Sequence, residues 1–221
     1  MLCFEMRSTF LNLGLATLAA AVPAKRASQI ALSNGFLLVA KVTDPSHDLD
    51  PSVNNYVLST VHTGAALNAA VLSPAPVTSG RIFYENGTST QVDDKQTNIL
   101  TDGATPPVPF GLYVQDPTQP PSNIPINVGP GTFNTISESD LIVINGQGEG
   151  TYLACNATVP YYNRNFITLQ YAYGSSPTIP ENCAPIELVP QCTTLNELPD
   201  DAYASHEYAV EVQCYEDATA I

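Results

Sequence analysis

Turn-forming residues interrupt this chain so often that no long helix can be laid through it. There are 19 prolines and 13 glycines among 221 residues, and the apolar residues between them recur with a period of two, not 3.6. Many short strands with frequent breakers point to an all-β fold, an antiparallel sandwich or barrel forming one domain. Residues 36–42 read as a largely buried strand that ends at the breaker Asp44-Pro45. A second strand is expected over 56–62, and residues 65–72 fit either a strand or a short helix. Residues 81–85 and 88–92 flank Asn86-Gly87, a pair whose positions tolerate positive φ, so a β-hairpin is expected there. The Pro-rich stretch 105–130 has apolar residues threaded through it. It is therefore read as edge strands and turns, with strands over 111–115 and 124–128, and not as a linker. Residues 140–144 and 151–155 form another strand–loop–strand unit, with Gly146, Gly148 and Gly150 as its hairpin loop. Ile167, Leu169, Tyr171 and Tyr173 share one strand face. Tyr208, Val210, Val212 and Cys214 share another, which places Cys214 toward the core.

The N-terminus suggests where such a fold would be made. Arg7 precedes an apolar run over 10–22, followed by small residues up to Ala24. That order of charge, apolar run and small residues is an export signal, expected over residues 1–24. The run falls short of the about 20 apolar residues that span a bilayer. Lys25-Arg26 follows directly and is expected to be a dibasic processing site, leaving residues 27–221 as a secreted β domain. The C-terminal residues carry no hydrophobic tail, so neither a lipid anchor nor membrane insertion is expected.

Cysteine usage agrees with export. Cys3 leaves with the signal, and Cys155, Cys183, Cys192 and Cys214 remain, an even number that reads as two disulfides in the C-terminal third. Of the three possible pairings, Cys155–Cys183 with Cys192–Cys214 is preferred, although spacing alone leaves the others open. The sequons Asn86-Gly87-Thr88 and Asn156-Ala157-Thr158 make Asn86 and Asn156 candidate glycosylation sites.

Charge excludes whole classes of partner. The chain has 7 basic and 21 acidic residues, a net charge of −14. Removing the cations Arg7, Lys25 and Arg26 and the anion Glu5 deepens this to −16. Such a surface repels nucleic acid and anionic membranes and favours a soluble monomer.

The search for chemistry nominates no catalytic residue, no cofactor and no metal. The glycine run lacks the GxGxxG spacing and precedes a strand, so it is no phosphate loop. Asp44, His47, Asp48 and Asp50 crowd into seven residues but do not have calcium-loop spacing, and a solvated turn is expected. Thr101-Asp102-Gly103 has the wrong order for an aspartic protease. The histidines, His47, His62 and His206, are scattered. Tyr161, Tyr162, Tyr171 and Tyr173 could stack on sugars, although hairpin and core packing explains them more simply. An acidic or Ser-His-Asp site could only be assembled in space.

Several stretches carry a family likeness. They are VAKVTDPSHDLDPSVNNYVLSTVHTGAALNAAVL (39–72), GRIFYENGT (80–88), ILTDGATPPVPFGLYVQ (99–115), INVGPGT (126–132), TYLACNATVPYY (151–162) and NCAPIELVPQC (182–192). In these the chain resembles an uncharacterised family of small secreted proteins from filamentous ascomycete fungi. In layout it is more distantly similar to fungal cell-wall proteins of the phialide-associated and IgE-binding-protein group. The resemblance implies no catalytic role for any residue. The expected function is a non-enzymatic extracellular or cell-wall module binding a polysaccharide or protein. The alternatives are a small secreted acidic hydrolase and a host-directed effector or antigen.

Overall fold

The computed structural model describes residues 28–74, 76–114, 123–138, 141–145 and 148–221. The expected export signal and processing site, with Ala24, Lys25 and Arg26, lie outside these residues. Among the described residues fourteen strands form, in chain order β1 Ile30–Ser33, β2 Gly35–Val42, β3 Val57–Gly64, β4 Leu67–Ser73, β5 Tyr84–Asn86, β6 Asn98–Gly103 and β7 Val108–Leu112. They continue with β8 Ile126–Val128, β9 Thr135–Glu138, β10 Ile142–Asn145, β11 Gly150–Val159, β12 Arg164–Tyr173, β13 Cys183–Thr193 and β14 Val212–Tyr215. Among the described residues the one α-helix is α1, Ser89–Asp93.

The largest sheet runs β1-β14-β13-β11-β12-β4-β3-β2, and β2 pairs again with β13. That pairing closes six of the strands into a ring, so the architecture is a small barrel with β14 and β1 as a flap on its edge. The closing seam is long, from Ile186↔Val42 to Thr193↔Gly35. The opposite seam is short: β12 meets β4 only at Ile167↔Leu72 and Thr168↔Val71. On one side of it Ile124 wedges in, taking a hydrogen bond from Ala70 N and giving one to Leu169 O. A second sheet, β5-β6-β7-β8, leans on the barrel. The backbone bridges Phe36↔Phe83 and Ala69↔Pro125 join the two. The β9–β10 hairpin packs across β13 and β14.

One core serves both sheets. Phe36, Leu38, Leu58, Phe83, Ile99, Leu112, Ile126 and Leu169 bury their side chains in one cluster. Period-two alternation accounts for it in β2, where Phe36, Leu38 and Ala40 face this core while Val39 turns to a smaller cluster with Ile142, Val189 and Tyr215. Full burial of each large apolar side chain stabilises by about 1.5–3 kcal/mol. The Pro-rich stretch supplies β7 and β8 and puts Phe110, Leu112 and Ile126 into that core, as expected of strands and not of a linker. Gly111 is required here: a Cβ on it would lie 2.3 Å from Gly131 N.

Four expectations need correction or completion. Asn86-Gly87 is not a hairpin turn. Thr88 and Gln91 form a capping box that starts α1, since such a box satisfies two orphan N–H groups at once. Gly87 N instead donates to Tyr208 O, and the strand partner of β5 arrives only at Asn98. Strands β10 and β11 do not pair either. Both edges of β11 are taken by β12 and β13, so β10 pairs back on β9. Residues 65–72, which fitted strand or helix, resolve as β4, in register with β3. The last strand is shorter than its alternation suggested. Val212 and Cys214 are buried, but Tyr208 is half-exposed in irregular chain.

Candidate functional site

The disulfides are Cys155–Cys183 and Cys192–Cys214. The first ties β11 to β13 at a directly paired position, and the second ties β13 to β14. The two bridges sit at opposite ends of β13, with Cys183 opening the strand and Cys192 next to its last residue, and all four cysteines lie in the C-terminal third.

The acidic candidates separate into two groups. Asp44 caps a 3-10 turn, Pro45–His47, accepting from the Ser46 hydroxyl at 2.7 Å and meeting His47 Nδ1 at 2.8 Å. The Ser46 hydroxyl, then His47, then the Ser46 N–H hold its carboxyl down at about 2. Asp48 accepts from Leu49 N, Val53 N and the Ser52 hydroxyl. These are turn acids whose lone pairs are spent on the loop itself. Among the described residues no group of three or more His, Cys, Asp or Glu is arranged to hold a metal ion.

Asp102 and His206, 104 residues apart, come together at 2.8 Å between Nε2 and Oδ2. The Tyr84 hydroxyl donates to the other Asp102 oxygen at 3.3 Å, and its ring meets His206 edge-on. Burial, then the Asp102 charge, pushes the Tyr84 phenol well above its usual range. Burial lowers the Arg81 guanidinium, and Asp102 opposes that shift. Both Asp102 oxygens are committed to neighbours in the fold, so the cluster serves as a clasp that holds the C-terminal segment on the small sheet.

Sequence reading did not single out Glu85. Its side chain is 3% exposed and accepts from Thr97 Oγ1 at 2.6 Å, Thr135 Oγ1 at 2.8 Å and Ile136 N at 3.1 Å. Three donors compensate a desolvated carboxylate, which otherwise costs several kcal/mol. A lone Glu beside Tyr84 in a strand gives no sign of this, because its donors come from up to 51 residues away.

Two surface features are candidate binding sites. The first is an aromatic strip at the tip of the β11–β12 hairpin. Tyr161 is 58% and Tyr162 38% exposed. Their rings meet edge-on at 5.2 Å, His62 lies against Tyr161, and Phe166 against Tyr162. The Arg164 guanidinium sits 4.6 Å from the centre of the Phe166 ring, within cation–π range. Of the four tyrosines that could stack on sugars, Tyr161 and Tyr162 are displayed. Tyr171 is buried and Tyr173 half-buried, so those two serve packing.

The second feature is a groove of about 710 Å³ beside the short β4–β12 seam. It opens on the side where Ile124 does not wedge in, past Leu72 and Ile167. Tyr56, Phe166, Ser59, Thr60 and the carboxylates of Asp50 and Glu181 line it. Asn156 stands at its wall with an exposed side chain, whereas Asn86 is half-buried between β6 and the bridge to Ala209. The size and the mix of rings with a few polar groups suit a small-ligand site.

Comparison with known proteins places the chain. A family model described as "Domain of unknown function (DUF7907)" matches residues 33–192. The match ends at Cys192, so His206 and Cys214 lie beyond it. The chain is 41% identical over 199 residues to Antigenic protein SchS34 of Stachybotrys chartarum, covering 86% of this chain and 89% of that protein. No solved structure matches.

Proposed function

This chain belongs to the family described as Domain of unknown function (DUF7907), and from that premise we propose that it is an exported, non-enzymatic module that binds a cell-wall polysaccharide. The observation that carries the reading is the exposed strip of Tyr161, Tyr162 and His62 with Arg164 stacked beside it. A soluble protein seldom leaves clustered rings in water without a partner. Rings backed by a cation present flat apolar faces and donors together, which is what a sugar chain's faces and hydroxyls need. The surface is otherwise strongly acidic, which directs the reading away from anionic polymers.

Export is supported by the two disulfides, which persist in oxidising compartments. No described helix is long and apolar enough to cross a membrane. The relative's description as antigenic fits a protein that meets another organism's immune system from outside the cell, and the host-directed reading stays compatible with wall binding. A second reading, a small acidic hydrolase, is favoured by one observation: Asp50 and Glu181 line the same groove.

The test is depletion from solution. The secreted chain, mixed with insoluble β-glucan, chitin and ascomycete wall fractions, is expected to sediment with at least one. Replacing both Tyr161 and Tyr162 by Ala is expected to weaken retention at least tenfold, the loss of about 1.4 kcal/mol or more expected for two stacking rings. No sedimentation with any fraction overturns the proposal. Release of reducing sugar that vanishes in Glu181→Gln would establish the hydrolase instead.

A further inference from the structure

We infer that the groove beside the β4–β12 seam is the seat of the chain's own N-glycan, carried on Asn156. Asn156 opens the sequon Asn156-Ala157-Thr158 and is exposed, as is Thr158. Its backbone is pinned twice to Asn182: Asn156 N donates to Asn182 O at 2.8 Å, and Asn182 Nδ2 donates to Asn156 O at 3.0 Å. The neighbouring Cys155–Cys183 bridge locks the same two strands. The side chain that would carry the sugar therefore leaves the strand along a fixed Cα–Cβ direction.

That direction follows from the register. Asn156 stands opposite Ile167 on β12, on the strand face that carries Tyr152 and Ala154 into the main core. The core stops where β12 parts from β4, and the groove begins there. Asn156 is therefore the first position on the core face of β11 that opens to solvent, and it lines the groove directly.

The groove chemistry suits the occupant. Phe166 and Tyr56 offer ring faces, Ser59 and Thr60 offer hydroxyls, and Asp50 and Glu181 accept from sugar hydroxyls. Its volume, about 710 Å³, falls in the range that holds a small ligand. Individual sugar contacts are weak, but a tethered ligand meets its site at an effective concentration on the order of millimolar. Weak contacts therefore suffice when the sugar is attached at the rim. Asn86 has no such setting, because Glu85 and Gly87 beside it are buried and its strand is covered on both sides.

The inference rests on export, and not on the aromatic strip. Its test uses the full chain secreted from a yeast host. Intact mass reports whether Asn156 carries a glycan. Hydrogen–deuterium exchange then compares the glycosylated protein, the same protein trimmed by an endoglycosidase to one N-acetylglucosamine, and Asn156→Gln. Amides of β3, β4 and β12 around the groove are expected to exchange several-fold faster after trimming and in Asn156→Gln, with β6 and β7 unchanged. Phe166→Ala is expected to erase the difference while leaving the glycan attached. An unmodified Asn156, or equal exchange in glycosylated and trimmed protein, overturns the inference. If Asn156→Gln does not fold, the trimmed wild-type chain still decides. Failure of the chain to leave the cell would instead overturn export, which recovery from the medium reads separately.

Discussion

The barrel and the small sheet leaning on it share one core yet are held by opposite means. The barrel carries both disulfides, each tying β13 to a neighbour. The small sheet has no covalent tie. It relies on buried polar groups: Glu85 with its three donors, and Asp102 clasping His206 from the distant C-terminal segment. The difference teaches where each region's stability resides. Covalent ties act largely on the unfolded chain, whereas a buried carboxylate acts wholly in the folded state and fails if a single donor is lost.

The largest test strikes the covalent side. Cys155→Ser with Cys183→Ser opens a link between residues 28 apart and is expected to lower unfolding free energy by about 3–4 kcal/mol. Denaturant titration measures it, and a loss below about 1 kcal/mol would mean that the barrel, like the small sheet, holds without a covalent tie. The next strikes the polar side. Glu85→Ala removes the acceptor of the Ile136 N–H, leaves the Thr97 and Thr135 hydroxyls only Asn134 O and Ile136 O, and is expected to cost about 2–3 kcal/mol. Faster hydrogen exchange should appear first in β5, β6 and β9. A uniform increase over the barrel as well would dissolve the distinction between the regions.

The smallest effect is pH-dependent and reaches both. Burial raises the phenols of Tyr152 and Tyr171 in the barrel and of Tyr84 in the small sheet, Tyr171 to about 12. A group whose folded pKa is raised contributes stability fully present below its unfolded value, here the usual 10.0, and lost as pH climbs through the folded value. Stability is therefore expected to hold up to pH 10 and decline toward pH 12, with tyrosinate absorbance rising in step with unfolding. Titration of these phenols without unfolding would refute it. In acid, Asp44 shows the reverse sign: its contribution is present above the ordinary carboxylate value and lost as pH falls toward about 2.

An unbroken apolar run made β2 legible from sequence, because both its faces are buried, and period-two alternation did the same for β12, whose one face turns inward. Cys214 lies on the core side as its alternation required. What stayed hidden depends on competition for partners. Asn86-Gly87 is a good hairpin pair in isolation, but Thr88 and Gln91 offered a helix cap and Tyr208 took the Gly87 N–H. Strand β10 could have paired with β11 had β12 and β13 not occupied both its edges. The site residues divide in the same way. Tyr161 and Tyr162 could be named, but their exposure follows from the Pro160–Tyr162 3-10 turn at the hairpin tip. Asp102 and His206 could each be named, but a contact across 104 residues leaves no local trace. The groove arises from two strands that part, which no single segment encodes.

The long pairing of β2 with β13 also sets a timetable. β2 lies near the start of the described chain, and its ring-closing partner ends at Thr193. A ribosome delivers β2, β3 and β4 well before β13, so the apolar edge of β2 must wait unpaired through most of synthesis. Non-local closure of this kind slows folding, and an open apolar edge invites pairing with another chain. Until the last third of the chain arrives, that edge lacks the strand that closes the ring.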